Sequence, residues 1–450
     1  MRIVSALMFF PRGGSSHVAR SLARTLPELG HEVTIVSGSL PSGHGDAERF
    51  YSGQDLVAVD FDAGDAPLHP SYEDRPEAPD VVFASVGDED FEAHVDAWSA
   101  ALVRARAAQA DVLHLHHLTP INEAAARVAP GVAVVGHLHG TELLMLEQIA
   151  SGPPAGWTHA EAWAQRMRRW AQGCSRLLLL AETQRERAAE LLGVDPALCT
   201  VVPNGFGPDE FSPRPVDRAA LWNRHLVQEP RGWRPGEGEG SVRYATAEIQ
   251  GLAASTVLLC VGRFTEVKRT GLLIRAFARA QPSFRTPASL VFVGGHPGEW
   301  EGEHPLDVVT ATGARDVFLA GWHDHDALAE ILNSADALVL ASVREQFGSV
   351  LVEAMACGLP AVAVDRFGPA EVVTPGQTGW LVEPDDEAGL AAALAEVVNH
   401  PGERERRGDL ALRDARRRFA WPALGERVAA VFSEVVDGPA SQERLTTSTT

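Results

Sequence analysis

Short apolar runs alternate with helical patterns along almost the whole chain. Residues 3–7 and 33–36 are short apolar runs, and between them apolar side chains recur at helical spacing from Val18 to Leu29. Runs of this length predict buried strands, and the longer period predicts a helix that covers them. Strands and helices in this order favour a parallel sheet with helices on both faces. The sequence therefore predicts an α/β fold of Rossmann-like, doubly wound units.

The same rhythm continues to the end of the chain. Further strands are predicted at residues 111–115, 132–137, 176–180, 200–202, 257–261, 290–293, 317–319, 337–340 and 361–364. Helices are predicted at 267–280 and near 424–436. Because 450 residues exceed one ordinary domain, two domains are expected.

A stretch rich in Pro and Gly, residues 203–215, interrupts the rhythm and marks a linker. It places an N-terminal domain at 1–205 and a C-terminal domain at 206–422. A last helix is predicted at about 423–437. Residues 438–450 are polar and predict a disordered tail.

Charge and cysteine content argue against several classes of function. The chain has 60 acidic and 39 basic residues, a formal charge of −21, which argues against general binding to nucleic acid or anionic lipid. The four cysteines form no CxxC pair, which fits a reducing cytoplasm better than a disulfide framework or a zinc site. No apolar run approaches the roughly 18–20 residues that cross a bilayer. A cytoplasmic location is therefore expected.

Residues 343–360 form the most informative motif. Glu345 and Glu353 stand eight positions apart, and the pair Gly348-Ser349 between them predicts a helix start after a buried strand. A helix start offers backbone N–H groups and partial positive charge to an anion, and carboxylates bind hydroxyl groups. The motif therefore suits a ligand that is both sugar and phosphate. Surface glutamates on an ordinary helix are the alternative.

Other polar residues also follow predicted strands. Arg263 and Lys268 flank one strand-to-helix loop, where they are either diphosphate ligands or solvated surface cations. The three histidines 114, 116 and 117 end another strand. Strand alternation turns His114 and His116 to one face and His117 to the other, and no second ligand group is evident, so no metal site is predicted.

Three Asp-x-Asp triplets and one basic helix are given structural interpretations. Asp324 or Asp326 is expected to cap the next helix, and the triplets at 60–62 and 88–90 are expected in loops. The helix that carries Arg166, Arg168 and Arg169 is amphipathic. Membrane contact through it is an alternative, but a solvated face is favoured.

The chain resembles the retaining glycosyltransferases of family 4, which have the GT-B fold of two Rossmann-like domains facing across a cleft. The resemblance rests on the segments 261–269, 343–360, 368–373 and 378–382, on Gly13-Gly14, on the sequence HGTE at 139–142, and on PNGF at 203–206. It covers essentially the whole chain and is strongest from about 257 to 385. It implies that the helix at about 423–437 completes the N-terminal domain.

The resemblance implies roles for individual residues. Arg263 and Lys268 would hold the donor diphosphate, Glu353 the ribose and Glu345 the transferred sugar, while His139 would face that sugar. The implied catalytic residues are His139, Arg263, Lys268 and Glu345. The implied donor-binding residues are Gly13, Gly14, Arg263, Lys268, Trp322, His323, Glu345, Phe347, Gly348, Ser349, Val350 and Glu353. The residues expected to line the acceptor site are His116, His117 and Glu142.

The resulting hypothesis is a retaining hexosyltransferase of bacterial type that needs no metal or other cofactor. It would move a hexose-type sugar from a nucleotide diphosphate sugar, with a UDP-sugar as the best guess, to a hydroxyl acceptor of unknown class. Domain closure would complete the site. Two alternatives stay open, a nucleotide-sugar epimerase or hydrolase on the same fold and a non-catalytic nucleotide-sugar-binding subunit. No nucleic acid partner is expected.

Overall fold

The computed structural model describes residues 1–11, 13–43, 45–73 and 80–438. Internal packing divides the chain into two units. Unit 1 consists of Met1–Asn204 together with the C-terminal segment that begins at Trp421, and unit 2 is Gly205–Ala420. Most of the predicted tail lies outside the described residues.

Unit 1 is built on a parallel sheet with the strand order β3-β2-β1-β4-β5-β6-β7. Its strands are β1 Arg2–Leu7, β2 Glu32–Ser39, β3 Asp55–Asp60, β4 Val112–His116, β5 Ala133–His137, β6 Arg176–Leu179 and β7 Cys199–Val201. Its first helices are α1 Gly14–Glu28, α2 Ala47–Phe50, α3 Asp88–Arg104, α4 Pro120–Val128, α5 Thr141–Ser151, α6 Ala160–Gly173 and α7 Arg185–Leu192.

Unit 2 is built on a second parallel sheet, with the order β10-β9-β8-β11-β12-β13. Its strands are β8 Thr256–Val261, β9 Ala288–Val293, β10 Val317–Gly321, β11 Ala337–Leu340, β12 Ala361–Val364 and β13 Gly379–Val382. Its helices are α8 Arg218–Asn223, α9 Thr270–Ala280, α10 Pro305–Thr312, α11 His325–Asn333, α12 Ser349–Ala356, α13 Phe367–Val372, α14 Glu387–Asn399 and α15 Pro401–Arg418.

The last helix, α16 Trp421–Asp437, packs in unit 1 although it follows unit 2 in sequence. Its apolar face joins α1 and β5 in one buried cluster that includes Leu22, Val135 and Phe432. Gly425 permits close contact with α1, because a Cβ there would lie 2.4 Å from Cγ2 of Thr25. Burial of this face, rather than chain order, assigns α16 to unit 1.

The predicted architecture of two Rossmann-like sheets is confirmed. One loop prediction is wrong, that for 88–90, and the one for 60–62 is wrong only at Asp60, since Asp62 lies in a turn. Asp60 ends β3, and Asp88 and Asp90 lie in the first turn of α3, where acidic side chains are favoured by the helix dipole. Strands β3 and β13 were not predicted.

Two helix predictions also need correction. The helix predicted at 267–280 begins only at Thr270, since Arg269 is left-handed with φ 55° and separates α9 from a 3₁₀ turn at Glu266–Lys268. Asp324 occupies the N-cap position of α11, but its side chain makes no capping hydrogen bond.

The amphipathic helix is α6, and its aromatic face lies inside unit 1. Trp163 is fully buried and Trp170 nearly so. Arg166 lies over the ring of Phe91 and pairs with Asp88. The apolar face of α6 is therefore buried in the core of unit 1. Among the described residues, no helix is long and apolar enough to cross a membrane.

Candidate active site

Two loops of unit 2 meet at the carboxyl ends of β8 and β11. The backbone N–H of Val343 donates to the carbonyl of Val267 at 3.0 Å, which joins the loop after β11 to the loop after β8. Across this junction Nζ of Lys268 lies 2.5 Å from Oε2 of Glu345. Each of these side chains is about one fifth exposed, with fractions of 22% and 20%. The predicted diphosphate and sugar residues are therefore in direct contact. Arg263, at the end of β8, is exposed.

The loop that carries Glu345 leads into α12 through a strained turn. Gly348 is the N-cap, with φ 87°, and a Cβ there would come within 2.9 Å of Leu351 and 3.4 Å of Glu345. Ser349 and Val350 follow as the first helical residues and are partly exposed. Their backbone N–H groups have no acceptor inside the helix, which makes this turn suitable for an anion.

Phe347 is one of the predicted donor-binding residues. Its side chain is buried in unit 2 with the ring 6.0 Å from that of Phe419. The backbone of Gly368 also packs closely here, because a Cβ on it would lie 2.2 Å from Cα of Phe347. The ring of Phe347 is therefore not available to a ligand at this loop.

Glu353 lies in α12 and is 8% exposed. Its Oε1 is 2.9 Å from Nε2 of His325, at the start of α11. The sequence interpretation missed His325, because only the fold brings α11 beside α12. The contact with His325 fixes the orientation of the Glu353 carboxylate. It therefore also sets the direction of the second carboxylate oxygen.

The loop after β10 holds Trp322 and His323. The Trp322 ring lies 5.0 Å from that of His296, which follows β9. His323 instead contacts His225, with ring centroids 4.3 Å apart, and burial lowers the pKa of His323 to about 4. Trp322 and His323 therefore point to different neighbours, and His323 faces the helical turn that follows α8.

Unit 1 brings five histidines together at the carboxyl ends of β4 and β5. His116 on β4 is the register partner of His137 on β5, and His114 lies on the same face of β4 as His116. His117 and His139 follow the two strands directly. Their ring centroids form a continuous set, with neighbouring separations from 4.4 to 5.3 Å.

Glu142 anchors the outer part of this cluster. It is fully buried, and its Oε1 lies 2.6 Å from Nδ1 of His117 and accepts from the backbone N–H of His139 at 3.3 Å. His117 adopts a left-handed backbone, with φ 66°, that turns its ring toward the HGTE loop. Glu142 therefore fixes both His117 and the backbone of His139.

The sequence interpretation of the histidines needs two corrections. It found no second ligand group near His114 and His116, but β5 supplies His137, and ring nitrogens of these three lie within 4.8 Å of one another. His116, His117 and Glu142 are 1%, 4% and 0% exposed, so these predicted acceptor residues lie beneath the surface. His139 is the more exposed member of the described cluster.

Gly13 and Gly14 begin α1 in unit 1 and are exposed. A Cβ at either position would meet no atom within 4 Å, and neither residue has a left-handed backbone. The local fold therefore does not require glycine here. Open space in front of a helix start is compatible with the predicted approach of phosphate to the backbone.

Two models of known protein families match the chain. Residues 12–210 match the model described as Glycosyltransferase Family 4, and residues 248–413 match the model described as Glycosyl transferases group 1. The chain belongs to glycosyltransferase family 4. Its activity is therefore that of a glycosyltransferase.

Similar proteins carry different names. The chain is 27% identical to a glycogen synthase of Mycobacterium tuberculosis over 96% of this chain and 94% of that protein. It is 33% identical to the alpha-1,3/1,6-mannosyltransferase alg-2 of Neurospora crassa, but over 42% of this chain and 46% of that protein. The match to a D-inositol 3-phosphate glycosyltransferase of Stackebrandtia nassauensis is 27% over 80% of this chain and 77% of that protein.

Solved structures share the fold. Anabaena HepE in complex with UDP and glucose superposes with a TM-score of 0.67 at 18% identity, over 96% of this chain and 99% of that one. Sucrose-phosphate synthase from Thermosynechococcus elongatus gives 0.66 at 18% identity, over 96% and 98%. The two doubly wound units are thus those of the GT-B fold.

Proposed function

We propose that this glycosyltransferase moves a hexose-type sugar from a nucleotide diphosphate sugar, most simply a UDP-sugar, to a hydroxyl acceptor, with retention of configuration and without a metal ion. One observation carries the proposal: the contact between Lys268 and Glu345 beside the first turn of α12. It combines a phosphate-binding cation, a hydroxyl-binding carboxylate and an anion-binding helix start in one place.

Unit 2 supplies the groups that a diphosphate leaving group requires. The Lys268 ammonium has three N–H donors, and its contact with Glu345 uses one of them. Arg263 adds a planar, always charged donor at the end of β8, and the N–H groups of Ser349 and Val350 add fixed partial charges. These groups stabilise negative charge that develops on the diphosphate as the sugar departs.

The two carboxylates take the hydroxyl groups of the donor. Glu353, oriented by His325, accepts from the ribose, and Glu345 accepts from the transferred sugar. The bond between the anomeric carbon and the diphosphate oxygen breaks, and the acceptor oxygen bonds to that carbon on the same face. The leaving diphosphate oxygen takes the proton of the acceptor hydroxyl. This front-face route retains configuration and needs no covalent enzyme intermediate.

Structural neighbours support a uridine donor. Structures of Anabaena HepE contain UDP, UDP with glucose, and UDP-glucose. The acceptor stays at the level of a hydroxyl group, because the similar proteins carry different acceptor names. A cytoplasmic enzyme is consistent with four cysteines that are all free and buried.

A panel of nucleotide sugars tests this proposal. The full chain is mixed with each donor, and stabilisation is read by thermal shift while release of nucleoside diphosphate is followed with and without hydroxyl acceptors, in buffer containing EDTA. We expect one base and sugar to stabilise the protein and slow background release that a suitable acceptor accelerates. The anomeric configuration of the product, read by NMR, should match that of the donor.

Three results would contradict it. Release at full rate without any acceptor would indicate a hydrolase. Tight donor binding with no release under any acceptor would indicate a binding subunit. Loss of turnover in EDTA that is restored by Mg²⁺ or Mn²⁺ would contradict the metal-independent mechanism.

A further inference from the structure

Four histidines and one serine of unit 1 form a continuous chain of hydrogen bonds. Nδ1 of His137 is 3.1 Å from Nε2 of His114, whose Nδ1 is 3.4 Å from the hydroxyl of Ser5. The same hydroxyl is 3.2 Å from Nε2 of His116, whose Nδ1 is 3.0 Å from Nε2 of His139. The chain therefore runs from β5 through β4 and β1 back to the HGTE loop.

The four histidines in this series of hydrogen bonds are neutral. Burial lowers the pKa of His114 to about 3 and holds the pKa values of His116, His137 and His139 well below their usual range. A neutral imidazole has one N–H donor and one acceptor nitrogen, and a serine hydroxyl donates once. Each of the four hydrogen bonds needs one donor and one acceptor. The Ser5 hydroxyl could accept from both histidines, but its own buried proton would then have no acceptor among the described residues, so it donates to one histidine and accepts from the other. All donors therefore point the same way along the series of hydrogen bonds.

Only two arrangements satisfy this requirement. In one, every histidine carries its proton on Nε2, and in the other every histidine carries it on Nδ1. They differ at the two ends of the chain. Nε2 of His137 is buried without a hydrogen-bond partner. His139 is partly exposed, and its Nδ1 makes no hydrogen bond among the described residues.

The buried end decides between the two arrangements. With protons on Nε2, His137 would bury an N–H group that has no acceptor, whereas with protons on Nδ1 it buries only an unused lone pair. Buried N–H groups without acceptors are rarer than under-used acceptors. The Nδ1 arrangement also places the outermost N–H, that of His139, where water or a ligand can accept it.

We propose that Ser5, His114, His116 and His137 form a tautomer relay that holds His139 with its proton on Nδ1, so that His139 presents a hydrogen-bond donor to an oxygen of the substrate. The four relay residues are positioning residues that act through His139. The role of His139 toward substrate rests on the proposed function, whereas its tautomer does not.

The relay has a consequence for the reaction. An imidazole whose accessible nitrogen carries the proton cannot act as a general base through that atom. It can donate to a sugar hydroxyl or a phosphate oxygen. The relay therefore assigns the acceptor proton elsewhere, which agrees with its transfer to the leaving diphosphate.

A metal ion is the competing interpretation of the same cluster, because His114, His116 and His137 bring ring nitrogens within 4.8 Å. Hydrogen bonds within the chain already use Nε2 of His114, Nδ1 of His137 and both nitrogens of His116. An ion would have to break several of these bonds to reach three nitrogens. The hydrogen-bonded chain accounts for the same atoms without that loss.

Nitrogen NMR tests the relay directly. The full chain, prepared in EDTA and labelled with ¹⁵N-histidine, is recorded by long-range proton–nitrogen correlation, and His139 is assigned by its loss in His139→Gln. We expect protonated Nδ1 and unprotonated Nε2 at His139 and at the three relay histidines, the tautomer that free histidine disfavours in water. Protonated Nε2 at His139 would overturn the proposal.

Variants that interrupt the relay at Ser5 provide a second test. Ser5→Ala removes the central hydroxyl, and Ser5→Thr keeps it. We expect mixed tautomers at His139 and a loss of roughly fivefold in kcat/KM for the donor with Ser5→Ala, the effect of one neutral hydrogen bond, and recovery of both with Ser5→Thr. Ser37→Ala removes another buried serine hydroxyl, on β2, that bonds to backbone oxygens outside the relay, and should change neither.

Two further outcomes would contradict the relay. An unchanged His139 tautomer in Ser5→Ala would show that the relay does not set it. Visible absorption on addition of Co²⁺ that disappears in His114→Gln would assign the cluster to a metal ion. If no donor is turned over at all, the proposed function fails, but the wild-type spectrum still decides the tautomer.

Discussion

Gly14 is a single residue whose lack of a side chain has no reason inside the described fold. It begins α1, its backbone is not left-handed, and a Cβ there meets no atom within 4 Å. A glycine that packing does not need is explained if a ligand approaches the backbone. The resemblance to the family implies that this ligand is the donor diphosphate.

We therefore predict that Gly14→Leu leaves stability unchanged and lowers donor turnover at least tenfold. Leucine is a better helix former than glycine by up to about 1 kcal/mol, so the midpoint of thermal unfolding should stay the same or rise. Gly131→Leu is the matched control, since this exposed glycine also has open space around it but precedes β5, at the opposite end of the sheet. Equal turnover in the two variants would remove Gly14 from the site.

Residue identities could be predicted from the sequence where a motif is local. Glu345 and Glu353 stand on one strand-loop-helix unit, and Lys268 belongs to a similar loop, so spacing alone identified them as candidates. His137 and His325 could not be predicted, because their partners come from neighbouring strands and helices that are far away in sequence. Ring direction also escaped the sequence, as the buried ring of Phe347 shows.

An irregular insertion in unit 2, residues 229–251, has a clear structural role. Residues 229–251 contain no helix or strand, yet they pack along β10, the edge strand of the unit 2 sheet. The hydroxyl of Tyr244 accepts from the backbone N–H of Leu319 at 2.9 Å, and a Cβ on Gly232 would lie 2.3 Å from the Leu319 carbonyl. The insertion thus covers an edge that would otherwise expose hydrogen-bonding groups.

Tyr244→Phe should loosen this edge. The Leu319 N–H loses its acceptor, which should cost about 1 kcal/mol of unfolding free energy and increase amide exchange along β10. Hydrogen–deuterium exchange read by mass spectrometry measures the effect. Exchange along β7, one of the two edge strands of the unit 1 sheet, is the internal control and should not change. Equal exchange of β10 in wild type and variant would contradict the assigned role.

At the level of elements, the periodicity of the strands predicted most of the fold. The acidic composition of residues 88–90 led to a wrong loop prediction. The buried parallel strands are continuous apolar runs, which periodicity finds. Asp88 and Asp90 read as loop because acid clusters and proline surround them, but the helix dipole favours acids in a first turn. The path of α16 back to unit 1 was predicted from the resemblance to the family, and its packing against Thr25 provides the physical reason.

For the whole molecule, the buried histidines make stability depend on pH. The folded pKa of His114 is about 3 and the unfolded value is 6.5, so between these values the unfolded chain binds more protons. Stability is therefore fully present above pH 6.5 and is lost as pH falls. Each proton contributes a slope of about 1.4 kcal/mol per pH unit.

Urea unfolding at pH 7, 6 and 5 measures this slope. We expect the free energy of unfolding to fall by at least about 1.4 kcal/mol between pH 6 and pH 5, which is the contribution of one proton. In this range the carboxylates do not yet dominate the titration. His114→Gln removes one titrating group, so the slope of the free energy of unfolding against pH should fall by about 1.4 kcal/mol per pH unit. A free energy that is constant from pH 7 to pH 5 would contradict neutral, buried histidines.

The central claim is that Lys268 and Glu345 form the reactive part of a nucleotide-sugar site. Release of nucleoside diphosphate from the preferred donor, measured with acceptor for Lys268→Ala and Glu345→Ala, tests it most directly. Arg275→Ala is the control, because it breaks the exposed pair of Arg275 and Glu303 in the same unit. We predict that the two site variants stay folded and lose turnover by at least two orders of magnitude while the control keeps wild-type turnover. Near-normal turnover in both folded site variants would contradict the account.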